Sequence, residues 1–208
     1  MQRDLTYFIS DIHLGATYIP DPKAHERRIC QWLKNIAPTA SRIFMLGDIL
    51  DYWYEYRYVV PRGFTRFFGT IAELTDSGIE VIWLKGNHDI WIFDYLPSEI
   101  GVKVVDGTYI TEINGTKFLM EHGDGVGEMR KSYQLMHSLF RAKWAQTLFS
   151  TIHPRWTVNF AHKWSGHSRA TGKKYTQTLL PDSDRLVQFV KQYSSKDPDI
   201  KYFVFGHR

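Results

Sequence analysis

The 208-residue chain has a single cysteine, Cys30, so no intrachain disulfide can form and stability must come from burial; one thiol and no cross-link fit a reducing compartment. It also lacks any stretch near the ~18 consecutive apolar residues that a membrane-spanning helix needs. Met1-Gln2-Arg3-Asp4-Leu5-Thr6 contains no basic segment running into an apolar one, so no secretory leader is expected. Internal repeats and low-complexity tracts are absent. What remains is an ordinary globule, 43% apolar and 23% charged, long enough for one sizeable core with an insertion.

A further absence is local. From Met129 to Thr176 there is no aspartate or glutamate, while nine lysines and arginines stand there: Arg130, Lys131, Arg141, Lys143, Arg155, Lys163, Arg169, Lys173 and Lys174. The rest of the chain holds 17 basic against 22 acidic residues, so the overall charge of +4 conceals two regions of opposite sign. A local field acts on a local partner, and this one favours an anion.

Apolar runs place the strands. Ile43-Phe44-Met45-Leu46 ends in Gly47, as a strand buried on both faces of a parallel sheet does, and Asp48 follows it. Leu5–Ser10 and Ile79–Leu84 read as strands on either side in sequence, separated by helical patterns over Pro22–Ile36 and Gly63–Asp76, the latter closed by Ser77-Gly78. Three strand–loop–helix units predict a parallel, doubly wound half-sheet. Short strands follow at Val102–Val105, Tyr109–Ile113 and Lys117–Glu121, the last two joined by Asn114-Gly115, a type I′ hairpin signal. One long helix is expected over Glu128–Phe149, another over Pro181–Tyr193, and a last strand over Tyr202–Phe205.

Five strand ends carry groups that bind cations. Asp11 and His13 follow the first strand, Asp48 and Asp51 the second, Asn87 and His88 the third, His122 the hairpin and His207 the last. Taken singly, each has an ordinary reading as a turn, a helix cap or a hydrogen-bonded histidine. Together they form a set of carboxylate, imidazole and amide donors without thiolate, which suits Mn²⁺, Fe or Zn²⁺ in a catalytic rather than a structural site. A carboxylate such as Asp48 has two oxygens and can bridge two cations.

The combination Asp11-x-His13, Gly47-Asp48-x-x-Asp51, Gly86-Asn87-His88-Asp89, His122 and Gly206-His207 closely resembles the signature of the calcineurin-like metallophosphoesterases, over essentially the whole chain. The resemblance implies an α/β fold, a four-layer αββα sandwich, with two divalent metals, usually Mn²⁺. One metal would use Asp11, His13 and Asp48, the other Asp48, Asn87, His122 and His207. His88 would face the phosphate as a transition-state stabiliser or proton donor, Asp89 would orient it, and Asp51 would orient ligands rather than bind metal. The family's last motif is Gly-His-x-His, and the chain stops at Arg208, one residue before the final histidine; the resemblance therefore implies a chain that normally continues.

The basic, aromatic segment of about 127–178 reads as a helical cap inserted into this single domain. Its tryptophans and phenylalanines beside cationic groups suit a substrate bearing acyl chains and phosphate, or an anionic membrane surface. Its position resembles that in the UDP-2,3-diacylglucosamine pyrophosphatases of lipid A synthesis, with Tyr133 matching a substrate-contacting tyrosine and Arg130 beside it as a second candidate. That resemblance implies hydrolysis of a nucleotide-linked glycolipid to UMP and 2,3-diacylglucosamine 1-phosphate, by a cytoplasmic protein peripheral to the inner membrane. The best-known branch carries arginine where this chain has His88. Two alternatives stay open: a phosphodiesterase or nuclease using the cap for single strands, the less favoured partner, and a non-catalytic scaffold of the same fold. No protein partner is evident.

Overall fold

The structure is a computed structural model and describes residues 3–127, 131–157 and 184–207. It divides into two compact units, Met1–Asp106 and Gly107–Arg208.

In the first unit, strands β1 (Leu5–Ile9), β2 (Ala40–Met45), β3 (Glu80–Leu84) and β4 (Lys103–Val105) form an all-parallel sheet in that spatial order. Between them run helices α1 (Pro22–Ile36), α2 (Thr65–Asp76) and α3 (Tyr95–Ile100). Because the strands advance in one direction, right-handed crossovers bring successive helices onto the same face, and α1 and α2 pack on each other. The parallel half-sheet expected from three strand–loop–helix units is observed, with β4 added at its edge.

The helices start and stop for local reasons. Asp21 caps α1 by accepting from the Ala24 amide at 2.8 Å, and Pro22 occupies the first turn, where no N–H is missed. Cys30, Leu33 and Ile36 form its buried stripe together with Glu26, whose carboxylate reaches the Phe67 amide in the first turn of α2. Gly78, at φ +85°, ends α2. The core contains Ile43, Met45, Val81 and Trp83 of the sheet against Leu33, Phe67 and Ile71 of the helices. Trp53, from the aromatic loop after β2, is fully buried in it, whereas Tyr58 of the same loop is exposed.

In the second unit, β5 (Tyr109–Ile113) and β6 (Thr116–Glu121) pair antiparallel, and β7 (Ile200–Phe205) lies parallel to β6. Asn114 and Gly115 both have positive φ, 50° and 75°, as a two-residue type I′ turn requires. The single helix expected over Glu128–Phe149 is two, α4 (Lys131–Arg141) and α5 (Lys143–Ser150), because Ala142 takes an extended conformation with ψ 123°. Apolar periodicity runs through such a one-residue break without registering it. Helix α6 (Arg185–Lys196) begins at Asp184, whose side chain accepts from the Leu186 amide at 2.9 Å, and it packs on β7 through Phe189 on Phe205 and Tyr193 on Phe203.

Candidate metal centre

Register places the candidate residues of the first unit. Ile9, Met45 and Trp83 lie side by side across β1, β2 and β3, so the loops carrying Asp11, Asp48 and Asn87 leave the same carboxyl edge of the sheet. The first two loops run on together: the His13 amide donates to the Asp48 carbonyl at 2.9 Å, and the Asp51 amide to the Leu14 carbonyl at 3.0 Å.

These loops are strained where the candidate ligands sit. Asp11, His13 and Asp48 have φ of 52°, 48° and 53°, and only two other non-glycine residues among those described, Phe64 and Asn114, share the left-handed region. Such conformations cost roughly 1–3 kcal/mol each and persist only where the surroundings hold them. Asp89 is what holds Asp48 here. Its buried carboxylate accepts from the amides of Gly86 (2.7 Å), Ile49 (2.9 Å), Asp48 (3.3 Å) and Leu50 (3.4 Å), and from the Trp83 indole at 3.1 Å. One side chain thereby ties the loop after β3 to the loop after β2. Gly86 lets them meet: a Cβ there would stand 2.3 Å from Asp48 Oδ1 and 2.4 Å from its amide nitrogen.

Asp48 is buried, with Oδ1 accepting from the His88 amide at 2.9 Å. Its Oδ2 stands 3.8 Å from His13 Nε2 and 3.9 Å from His88 Nε2. Both imidazoles turn their other nitrogen toward Asp51: Oδ1 of that residue is 3.3 Å from His13 Nδ1 and 3.6 Å from His88 Nδ1. His88 Nδ1 also lies 2.9 Å from the Asp51 carbonyl, which only accepts, so Nδ1 carries the hydrogen. Asp51 therefore fixes the orientation of both rings and leaves each Nε2 directed at the Asp48 carboxylate, as partners of metal-binding histidines do. Burial pulls the pKa of His13 down, but the Asp51 contact and the charges of Asp48, Asp51 and Asp11 outweigh this and hold it above the ordinary imidazole value.

The donors suit a divalent cation. Three carboxylates surround His13, two of them buried, and such a cluster repels itself unless a positive charge is present. Asn87 Oδ1 is buried with no hydrogen-bond donor among the described residues. An unmatched buried acceptor costs about 1–3 kcal/mol, and a cation would satisfy it.

The second unit holds its own pair. Glu121 and Phe205 are in register at the ends of β6 and β7, and just beyond them the His207 amide donates to the His122 carbonyl at 2.6 Å, with the two rings 5.2 Å apart between centroids. Tyr133 on α4 is half-buried and donates to Asp124 Oδ2 at 3.4 Å; burial, then the Asp124 charge, push its phenol pKa well up. Arg130 lies outside the described residues, as does much of the cap expected over about 127–178. The contact of Asp124 with the cap was not foreseen. The available signal was the four-residue spacing of Tyr133 and His137, which puts both on one helix face.

Residues 5–208 match the family model of the calcineurin-like phosphoesterases. The UDP-2,3-diacylglucosamine hydrolase of Porphyromonas gingivalis is 42% identical, over 99% of this chain and 83% of its own length. Proteins of the same name from Aeromonas hydrophila and Vibrio vulnificus are 26% and 27% identical, each over 97% of this chain and over 80% and 79% of their own lengths. The chain belongs to the calcineurin-like phosphoesterases, a family of metal-dependent hydrolases.

Proposed function

We propose that the protein hydrolyses the pyrophosphate bond of UDP-2,3-diacylglucosamine, releasing UMP and 2,3-diacylglucosamine 1-phosphate. The observation that carries this reading is the 42% identity to the Porphyromonas gingivalis hydrolase over nearly the whole chain. The arrangement of Asp48, His13 and His88 around Asp51 supports it as a place where phosphoryl chemistry can occur.

Carried over by motif, Asp11, His13, Asp48 and Asn87 of the first unit and His122 and His207 of the second would serve as ligands to divalent ions, with Mn²⁺ as the ion. Bound cations of this kind lower the pKa of a coordinated water toward ~7 and withdraw charge from phosphoryl oxygens. The protein's part is orientation and proton transfer. The Asp51 carbonyl keeps hydrogen on His88 Nδ1, which leaves Nε2 as the nitrogen through which His88 would pass a proton to the oxygen leaving phosphorus. Asp89 holds the loops on which His88 and Asp48 are mounted, and so acts on the reaction through position.

The cap supplies the lipid side. On α4, α5 and the segment after them, Leu135, Leu139, Trp144, Leu148, Ile152 and Trp156 are exposed, within the stretch that contains no acidic residue. No described helix is long and apolar enough to cross a membrane. Apolar side chains beside lysine and arginine favour an anionic bilayer surface, and the protein acts there as a peripheral, cytoplasmic enzyme.

The test is UMP release from UDP-2,3-diacylglucosamine in Mn²⁺ and detergent, comparing the wild type with His88→Ala. Release that the substitution reduces by about 10²–10⁴-fold is expected for loss of a general acid. Cleavage of a generic aryl phosphodiester without release of UMP would keep the metal chemistry and reject the lipid substrate. Metal binding with no turnover on either would favour a scaffold.

A further inference from the structure

Helix α4 is docked in an unusual way. Its inward stripe is Tyr133, Met136, His137, Phe140 and Arg141, at helical spacing, yet no residue of the helix is fully buried, and Leu135 and Leu139 face outward. Apolar burial therefore cannot be the main force holding it. Polar contacts tie it to one loop instead. That loop, His122-Gly123-Asp124-Gly125-Val126-Gly127, begins with a candidate metal ligand.

Asp124 is the receiving group. Tyr133 donates to its Oδ2, and His137 Nε2 stands 3.6 Å from the same oxygen. From the other side Arg185 donates to the main-chain carbonyls of Asp124 and Val126, both at 3.0 Å, which pins the loop to α6. Gly125 leaves room for the histidine: a Cβ there would lie 2.9 Å from His137 Nε2 and 3.3 Å from its Cε1. Unlike Gly123 and Gly127, Gly125 does not have a positive φ, so the His137 ring is the nearest obstacle to a side chain at that position.

We infer that His137 is a positioning residue. Together with Asp124, and through the gap at Gly125, it seats α4 on the His122 loop and so fixes where Tyr133 stands. This rests on the substrate reading above, together with the family resemblance that makes Tyr133 a substrate-contacting tyrosine. The contact then serves the part of the substrate that the cap reads and not the phosphoryl chemistry. A small aryl phosphodiester, which has no glycolipid to place, does not need it.

The experiment compares His137→Ala, Gly125→Ala and the double variant in Mn²⁺-loaded protein. Two substrates are used, UDP-2,3-diacylglucosamine in detergent and bis(4-nitrophenyl) phosphate. Each single substitution is expected to lower kcat/KM on the lipid substrate about tenfold, chiefly through KM, with aryl hydrolysis kept within about twofold. Manganese content is expected to stay unchanged. Because Gly125→Ala acts by displacing the His137 ring, it should add almost nothing in the His137→Ala background. Parallel loss of both activities together with manganese would overturn the inference, since the contact would then serve the metal ligand or the fold. Unchanged lipid kinetics, or fully additive effects, would overturn it as well. If the wild type releases no UMP, the substrate reading fails by itself, and amide exchange in α4 decides the seating: faster exchange in both single variants supports it, and unchanged exchange rejects it.

Discussion

His88 donates its Nδ1 hydrogen to the main-chain carbonyl of Asp51 at 2.9 Å. The same residue's side-chain oxygen faces Nδ1 of His13 at 3.3 Å, so one aspartate sets the tautomer of one imidazole and faces the second. Asp51→Ala should remove the side-chain half of that arrangement and leave the carbonyl. Manganese affinity is expected to fall about 10–100-fold, the usual effect of removing a partner behind a metal-binding histidine. Titration calorimetry with Mn²⁺ measures this, and unchanged affinity would mean that Asp51 does not orient a ligand.

Asp89 should matter more to stability than to binding. Asp89→Ala leaves four backbone amides and the Trp83 indole without the carboxylate they share. Each buried donor left unmatched costs about 1–3 kcal/mol, so a loss of at least about 3 kcal/mol is expected after relaxation. Urea unfolding reports it. Asp89→Asn keeps an acceptor oxygen and should lose distinctly less; equal losses would show that the hydrogen bonds are not what matters.

Gly86→Ala tests the close approach of two loops. Its Cβ would overlap Asp48 Oδ1 and the Asp48 amide, and a backbone atom cannot swing aside as a flexible side chain can. Activity should fall about 100-fold or more, since a shift of ~1 Å at a positioned group costs that much. Wild-type activity in a folded Gly86→Ala protein would show that Asp48 does not need its present position.

The metal-stripped protein should show a pH dependence due to His13. Its folded pKa is raised, by its carboxylate neighbours against burial, so the protonated form is favoured in the native state. The stability it contributes is full below the unfolded value of about 6.5 and is lost as pH rises through the folded value. The stability difference between wild type and His13→Gln, measured in EDTA, should therefore shrink from pH 5.5 to pH 8.5. Manganese affinity should move the opposite way, rising with pH, because a ligating imidazole must be neutral. A stability difference that grows with pH would contradict the raised pKa.

The exposed face of α4 and α5 gives a prediction for membranes. Trp144→Ser with Leu148→Ser removes two exposed apolar groups. Each contributes about 1.5–3 kcal/mol when buried, so partitioning onto phosphatidylglycerol vesicles in a sedimentation assay should drop at least about tenfold. Aryl phosphodiester hydrolysis in solution should not change. Equal sedimentation of both proteins would remove α5 from the bilayer contact.

Much of this site was legible from short-range pattern. Ile43–Leu46 ran apolar without alternation because β2 is covered on both faces, and the ligands followed each strand because open parallel sheets expose their carboxyl ends. Asn114-Gly115 fixed the hairpin because both residues tolerate positive φ. The break at Ala142 was not legible, since one extended residue leaves the apolar spacing on either side intact.

The sequence by itself determined the donor set: which residues could hold a cation, in what order, and on which strand ends, because side-chain chemistry and strand periodicity are local properties. Only the tertiary structure decided how those donors are held. Asp89 reaches amides 40 residues away, Asp51 faces two rings from different loops, and Gly86 makes way for Asp48. No spacing along the chain encodes such contacts, because they arise where a parallel sheet brings separate loops to one edge.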